Sequence, residues 1–480
     1  MKTIKKFIGF SLGPILGAIF SAVSVPICTH YLLPNEYGKT SMFNLLYTIL
    51  LMVAYLGFDQ SFIREYHEYD NKGKVLFNSM IVPSFITIIL ILFVAPFASS
   101  ISYFLFESDQ HVDVVYLLLG ALPFLLVERF ILVNLRMEER AIEYSFFSLI
   151  VKVVAFACTL FFLFNIRQDF LAIVYSTIIS HYIGDGILIV LYHKMLKFKK
   201  EYFDWNLVRR MASYALPLVP ATVIGTIFNG EDKVFIKYFS DYKELGYYQV
   251  SMTLANMVLI LQQAFSTFWT PTVFRWKAEN VENEKYEFVQ KVVSLFASAC
   301  FMGILLIKNI LPVLLSEKYE STKYILPFLL FYPVMSMIVS TTVSGIDFAR
   351  KTKYTLYFSM AVTALNFALN LLLVPMLGAS GAAIATGLSH VFYFWVRTLY
   401  SRKLWFDFDI SHFIKMTFLL TFSALINSLT FLSQPIVYMI DVVVIFTGII
   451  IYKETIFKVY EMVTKGIRGR MNRDKKVPEK

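Results

Sequence analysis

The sequence predicts an all-α, polytopic membrane protein with about fourteen transmembrane helices. Three observations carry this. Of 480 residues, 57% are hydrophobic and only 16% charged, whereas a soluble chain carries about a quarter charged residues. The apolar residues form long unpatterned runs, and about 20 such residues suffice for a helix to cross the hydrocarbon core. Basic residues collect between alternate runs.

The runs are taken in chain order. Lys2, Lys5 and Lys6 precede a run to Leu33 that is too long for a signal segment and lacks a clear cleavage site, so 9–33 is expected as the first span. The second, 40–63, ends at Arg64, Lys72 and Lys74. Spans 76–104 and 112–136 follow, closed by Arg136 and Arg140. Spans 143–165 and 169–193 lead to a basic stretch from Lys194 to Arg210. Spans 212–238 and 245–274 end at Arg275 and Lys277; spans 289–315 and 324–347 end at Arg350 and Lys351. Spans 353–376 and 379–402 end at Arg402 and Lys403, and 410–432 and 435–456 complete the set.

The charges set the orientation. With a cytoplasmic N-terminus, roughly three-quarters of the Lys and Arg residues fall on the inner side, which is the side they favour. Both termini are therefore expected in the cytoplasm. The net charge of +10 is spread over many loops and does not point to nucleic acid. In the tail, Ile456, Val459, Tyr460, Val463 and Ile467 recur at helical spacing among Lys453, Lys458, Lys465, Arg468 and Arg470, the pattern of a basic amphipathic helix on the inner leaflet. Cys28, Cys158 and Cys300 lie far apart in apolar runs, without metal-like spacing, and read as small buried residues.

A repeat at about 210 residues runs through the chain. Glu-x-Gly at 36–38 returns at 244–246, Phe-Ser at 147–148 returns at 358–359, and Ser-His at 180–181 returns at 389–390. Six spans per repeat make the two halves parallel, an arrangement that suits two bundles rocking around a site between them. The expected organisation is an N-terminal lobe at 1–200, a C-terminal lobe at 201–404, and a final pair of spans with a basic tail at 405–480.

"HYLLPNEYGK" from His30, "SYALPLVPATVIGTIFNGEDKVFIKYFSDYKELGYYQVSMTLANM" from Ser213 and "LGASGAAIATGLSH" from Leu377 carry a family resemblance. The chain resembles the polysaccharide transporters of the multidrug/oligosaccharidyl-lipid/polysaccharide exporter superfamily, the repeat-unit flippases of O-antigen and capsule. The resemblance covers roughly residues 5–460. It implies a transporter in a bacterial inner membrane that moves a lipid-linked oligosaccharide, of undecaprenyl-pyrophosphate type, for cell-surface polysaccharide biosynthesis. Membrane lipids, a glycan polymerase and other assembly proteins are the expected partners.

Charges inside spans are the candidate functional residues. A charge at the bilayer centre costs about 2.5–3.5 kcal/mol, so it faces a bundle interior or a wet cavity. Arg129, Lys152, Lys233 and Lys308 come from both halves and are candidates for a cationic cavity that replaces the water around a pyrophosphate. The competing reading is an internal salt bridge in which Glu128 or Asp232 neutralises a neighbouring base. Asn229, Lys233 and Lys237 share one helix face and are expected to line that cavity. Asp185 and Asp232 are candidates for coupling to H⁺ or Na⁺; no other cofactor is expected. Asp59, Arg64, Asp347 and Arg350 lie near span ends, where side chains reach water. His30, His181 and His390 read as packing residues.

Other function classes fit less well. An enzyme acting on lipid-linked sugars needs a catalytic loop or domain. The outer loops here are short, with no Asp-x-Asp, metal spacing or phosphate-cradling glycine loop. A cation-coupled multidrug antiporter would favour acidic over basic buried residues. A scaffold in a glycan assembly complex is a third reading.

Overall fold

In the computed structural model, residues 2–474 are described apart from 197, 198 and 352. Side chains of residues 1–12, 14, 15, 18, 22, 463 and 465–474 also lie outside the description, and with them Lys2, Lys5, Lys6 and most of the basic face expected in the tail. The described chain is helical, with no strand.

The first half contains α1 (Lys2–Tyr31), α2 (Pro34–Tyr55), α3 (Phe58–Glu65), α4 (Lys72–Val94), α5 (Ala98–Phe106), α6 (Val112–Met137), α7 (Ala141–Asn165) and α8 (Phe170–Tyr192). The second continues with α9 (Trp205–Ala215), α10 (Val219–Phe239), α11 (Tyr242–Ala278), α12 (Asn283–Ile307), α13 (Leu311–Leu315), α14 (Thr322–Leu329), α15 (Phe331–Thr342), α16 (Ser344–Phe348) and α17 (Lys353–Leu404). The remaining helices are α18 (Ser411–Ser428), α19 (Gln434–Ile451) and α20 (Lys453–Asp474).

Local chemistry explains the punctuation. Asn71, Asp169, Asp204 and Asp241 each accept a backbone N–H at the helix start that follows them, satisfying donors that the first turn leaves free. Leu56 and Gly57 adopt left-handed backbone, which bends α3 by 46° from α2. Gly378, at φ 55°, breaks α17 into two segments at the expected division between 376 and 379.

Nine described helical segments are long and apolar enough to cross a membrane, or ten if α2 and α3 make one bent span. That criterion does not reach the expected fourteen. It takes α17 as a single segment despite its break, and neither α11 nor α18 is among the nine. Glutamines at 249, 262 and 263 interrupt α11, and His412 and Lys415 lie in α18. The outward surface is apolar: Leu92 is 69% exposed, Ile142 and Met376 80%. Those side chains suit lipid rather than water, and the chain is a multi-pass membrane protein. The three cysteines are free thiols.

Within the first half α7 packs on α1 and α8, and α6 on α8; within the second, α17 packs on α10 and α15. Among the described residues, the most extensive helix contact joins α2 to α11, across the halves. The pair α18–α19 packs on α12 and α14.

The repeated Glu-x-Gly does the same work twice. A β-carbon on Gly38 would strike the Tyr242 carbonyl, and one on Gly246 the Pro34 carbonyl, so only glycine permits the two helix starts to cross this closely. Ser41 Oγ then donates to Gln249 Oε1 at 2.7 Å, 208 residues away. Glu36 Oε2 accepts the N–H of Phe170 at the start of α8 (3.1 Å), and Glu244 Oε2 accepts that of Ala379 after the α17 break (3.0 Å). A carboxylate at a helix start meets free N–H groups and the positive end of the dipole.

Candidate functional site

Two buried polar clusters stand out, one in each half. In the second half the centre is Asp232, 2% exposed on α10. Its Oδ1 accepts from Asn370 Nδ2 at 2.6 Å and faces Asn366 Nδ2 at 3.4 Å. Its Oδ2 accepts from Tyr248 Oη at 2.5 Å and Thr386 Oγ1 at 2.7 Å. Asn366 and Asn370 lie one turn apart on α17, ahead of the Gly378 break, while Thr386 lies beyond it. The break thus lets one long element supply groups from two directions. The carboxylate is held by neutral donors, with no basic partner among the described residues. Beside it, Glu231 is buried, and neither of its oxygens has a well-formed hydrogen bond.

In the first half, Glu128 on α6 and His181 and Asp185 on α8 bring three ligand-type atoms within 4.8 Å of one another. His181 Nδ1 lies 3.1 Å from Asp185 Oδ2, and its Nε2 lies 3.0 Å from Tyr47 Oη on α2. His181 is therefore part of this polar cluster and not simply a packing residue.

The four candidate cations lie in four different surroundings. Arg129 pairs with Asp59 of α3 through Nε (3.1 Å) and Nη2, and its guanidinium lies 5.7 Å from the Tyr55 ring centroid. The expectation that Glu128 neutralises Arg129 fails, because neighbouring helical positions diverge by about 100°. Glu128 turns toward His181 and Asp185 instead. Asp59 is buried and serves as the partner, so it is not a span-end charge reaching for water.

Lys152 lies on α7 against α1, with Nζ 2.6 Å from where a Gly17 β-carbon would stand. Lys233, half-buried on α10, has no ion-pair partner among the described residues. Lys308 is 1% exposed and donates to the Asn427 carbonyl at 2.7 Å. Asn427 and Ser423 in turn donate to buried Asp441, so Lys308 belongs to the packing of α18 and α19 and not to a cavity between the halves.

The expected stripe on α10 also divides. Lys237 donates to the Phe104 carbonyl and sits over that ring at 4.1 Å. Asn229 borders a cavity of about 190 Å³ inside the second half, together with Phe228, Tyr332, Ser336, His390 and Tyr393. His390 thus fronts a cavity as well as packing against Tyr332.

Of the second cluster, Asp232 is the residue that the sequence marks as a charge within a span. Asn366, Asn370, Tyr248 and Thr386 carry no charge and give no such mark. Two amides four residues apart in an apolar run were the available signal.

A family model described as "Polysaccharide biosynthesis protein" matches residues 3–277. A relative from Haloferax volcanii, described as the probable low-salt glycan biosynthesis flippase Agl15, is 20% identical over 185 residues, 38% of this chain and 39% of that protein. The match thus spans about two-fifths of that relative's length. The fold is similar to that of the lipid II flippase MurJ in its inward closed conformation, with a TM-score of 0.72 and 15% identity over 95% of this chain and 99% of that one. It is also similar to an inward-facing multidrug resistance MATE family transporter of the MOP superfamily, with a TM-score of 0.63 and 14% identity over 83% of this chain and 97% of that one. At these identities the likeness is one of fold. With its family model covering more than half the chain, this protein belongs to the polysaccharide biosynthesis protein family and has a transporter fold of the MurJ and MATE type.

Proposed function

We propose that the chain is a flippase that carries lipid-linked oligosaccharide repeat units across a bacterial inner membrane by alternating access, with both termini cytoplasmic. The observation that carries the reading is the crossing of α2 and α11. Helices from the two halves meet at Gly38 and Gly246, and Ser41 and Gln249 join beside them. In this reading the crossing is the closed outer end of the path, and the two repeats are lobes that part there when the carrier turns outward. The family description and the flippase relative favour a glycan cargo; that its carrier is of undecaprenyl-pyrophosphate type is part of the proposal.

Arg129 and Lys233 are the cations best placed to meet the pyrophosphate. Arg129 spends Nε and Nη2 on Asp59 while its side chain stays 42% exposed, so the guanidinium has a further edge to offer. The Asp232 cluster is the proposed coupling site. Turning the amides of Asn366 and Asn370 would present oxygens in place of N–H groups. Carboxylate, amide and hydroxyl oxygens then suit a hard univalent cation, and a proton on Asp232 is the alternative occupant.

A double variant tests the reading, Ser41→Cys with Gln249→Cys, reconstituted in vesicles with a fluorescent undecaprenyl-pyrophosphate oligosaccharide. Oxidation should form a disulfide and stop flipping, and reduction should restore it. Flipping that continues at full rate in the cross-linked protein would sink alternating access through this end. Transport of cationic drugs but not of the lipid-linked sugar would instead favour a multidrug antiporter.

A further inference from the structure

The first-half cluster has a composition that the second lacks. Asp232 is surrounded by amides and hydroxyls. Asp185 and Glu128 surround an imidazole. Asp185 is wholly buried, and its Oδ1 has no hydrogen-bond partner. Neither Glu128 nor Asp185 is paired with a lysine or arginine among the described residues, and the neighbouring Arg129 is committed to Asp59. With both carboxylates ionised and the imidazole neutral, the ligand set would carry a charge of −2, in a site where Asp185 is wholly buried.

We propose that Glu128, His181 and Asp185 form a binding site for a divalent first-row transition-metal cation such as Zn²⁺ or Mn²⁺. A charge of +2 makes the cluster neutral with both carboxylates ionised and the imidazole uncharged. A univalent cation leaves a buried negative charge behind. Mixed nitrogen and oxygen ligands suit these metals better than Mg²⁺ or Ca²⁺, which prefer oxygen alone.

The spacing agrees. Ligand bonds of about 2.0–2.2 Å to one tetrahedral ion leave the ligand atoms roughly 3.3–3.5 Å apart. His181 Nδ1 and Asp185 Oδ2 stand at 3.1 Å, and a carboxylate oxygen of Glu128 lies within 4.8 Å of a ligand atom of each. With the metal on Nδ1, the Nε2–H of His181 donates to the Tyr47 hydroxyl, which lies 3.0 Å away. Such an outer partner fixes the tautomer and the ring orientation of a ligating histidine. The Tyr47 and His181 rings also stack, with centroids 5.6 Å apart. Bound metal would tie α6 and α8 directly and α2 through Tyr47.

The test uses the full chain, purified in detergent and stripped with chelator. Zn²⁺ and Mn²⁺ are titrated by calorimetry at neutral pH, and Co²⁺ absorption reports ligand type. One saturable site per chain is expected, with a raised melting temperature. Asp185→Asn, His181→Ala and Glu128→Gln should each abolish it, Tyr47→Phe should weaken it about 10- to 100-fold, and Asp232→Asn should leave it intact. Absence of saturable binding, or equal binding in all three ligand variants, overturns the proposal. Should those variants misfold, Mn²⁺ bound to the unmodified chain must show nitrogen hyperfine coupling; a spectrum of oxygen ligands alone overturns it too. Metal affinity is read without transport, so failure here leaves the flippase reading untouched.

Discussion

Gly38 on α2 and Gly246 on α11 meet each other's helix start: the missing β-carbon of Gly38 makes room for the carbonyl of Tyr242, and that of Gly246 for the carbonyl of Pro34. The contact is reciprocal, and the repeat supplies both sides of it. Each glycine is followed three residues later by one member of the Ser41–Gln249 hydrogen bond. The close approach depends on absent atoms at the two glycines, and the Ser41–Gln249 hydrogen bond is the side-chain contact beside it.

Alanine at either glycine should therefore force the helices apart. Overpacking of this kind costs about 1–3 kcal/mol. We expect Gly38→Ala and Gly246→Ala to reach the membrane at reduced levels and to lose disulfide formation between cysteines placed at 41 and 249. Cross-linking yield on a non-reducing gel measures this. Undiminished yield in both variants would show that the crossing tolerates a methyl group.

Arg129→Ala should strand the Asp59 carboxylate. Breaking a well-buried pair costs about 3–5 kcal/mol, but Arg129 is 42% exposed, so about 1–2 kcal/mol is the expected loss after discounting for solvent. Protein abundance should fall and return in Arg129→Ala with Asp59→Asn. If Arg129 also holds a phosphate, export should stay low in the double variant. Recovery of both abundance and export would assign Arg129 a structural role alone.

Asp232→Asn keeps the shape of the second cluster and removes its charge. The expected outcome is normal abundance with flipping that no longer responds to an imposed proton or sodium gradient. Vesicle assays with and without each gradient measure it. A full response in the variant would place coupling elsewhere, and sensitivity to both gradients in the unmodified chain would show that H⁺ and Na⁺ compete.

Lys308→Ala should act on stability before transport. Its ammonium is enclosed by α18 and α19, near Asp441. Removing it takes the donor from the Asn427 carbonyl and the positive charge from beside Asp441. Lower melting temperature and lower abundance are expected, with near-normal transport per molecule that remains. A stable protein with a selective transport defect would return Lys308 to the list of cargo-binding candidates.

Asp204 supplies a pH test outside the spans. Its carboxyl lies below the ordinary range because Lys74 Nζ sits 2.8 Å away and the N–H groups of Leu207 and Asn206 donate to it. A depressed folded-state pKa adds stability above the unfolded value, near 3.9, and that stability disappears as pH falls through the folded value. Asp204→Asn should therefore narrow the difference in melting temperature between pH 6 and pH 3. An unchanged difference would show that the Lys74 contact adds nothing measurable.

Composition and short-range pattern determined that this chain crosses a membrane, that its elements are helices, that two of the runs divide between 376 and 379, and that Glu-x-Gly returns in the second half. These are properties of a segment and its solvent. An apolar run in lipid must satisfy its own backbone and so becomes a helix, whatever lies beside it.

Partner choice was decided by tertiary structure. Glu128 and Arg129 are adjacent in sequence, yet one faces Asp185 and the other Asp59, because successive positions turn by about 100° around the helix axis. Asp232 finds Asn370 at a separation of 138 residues, and Lys308 finds Asn427 at 119. Whether a buried charge is held by an amide, an acid or a carbonyl depends on which helices touch and how each is rotated. No local run of residues encodes that rotation; the packing of the whole bundle sets it.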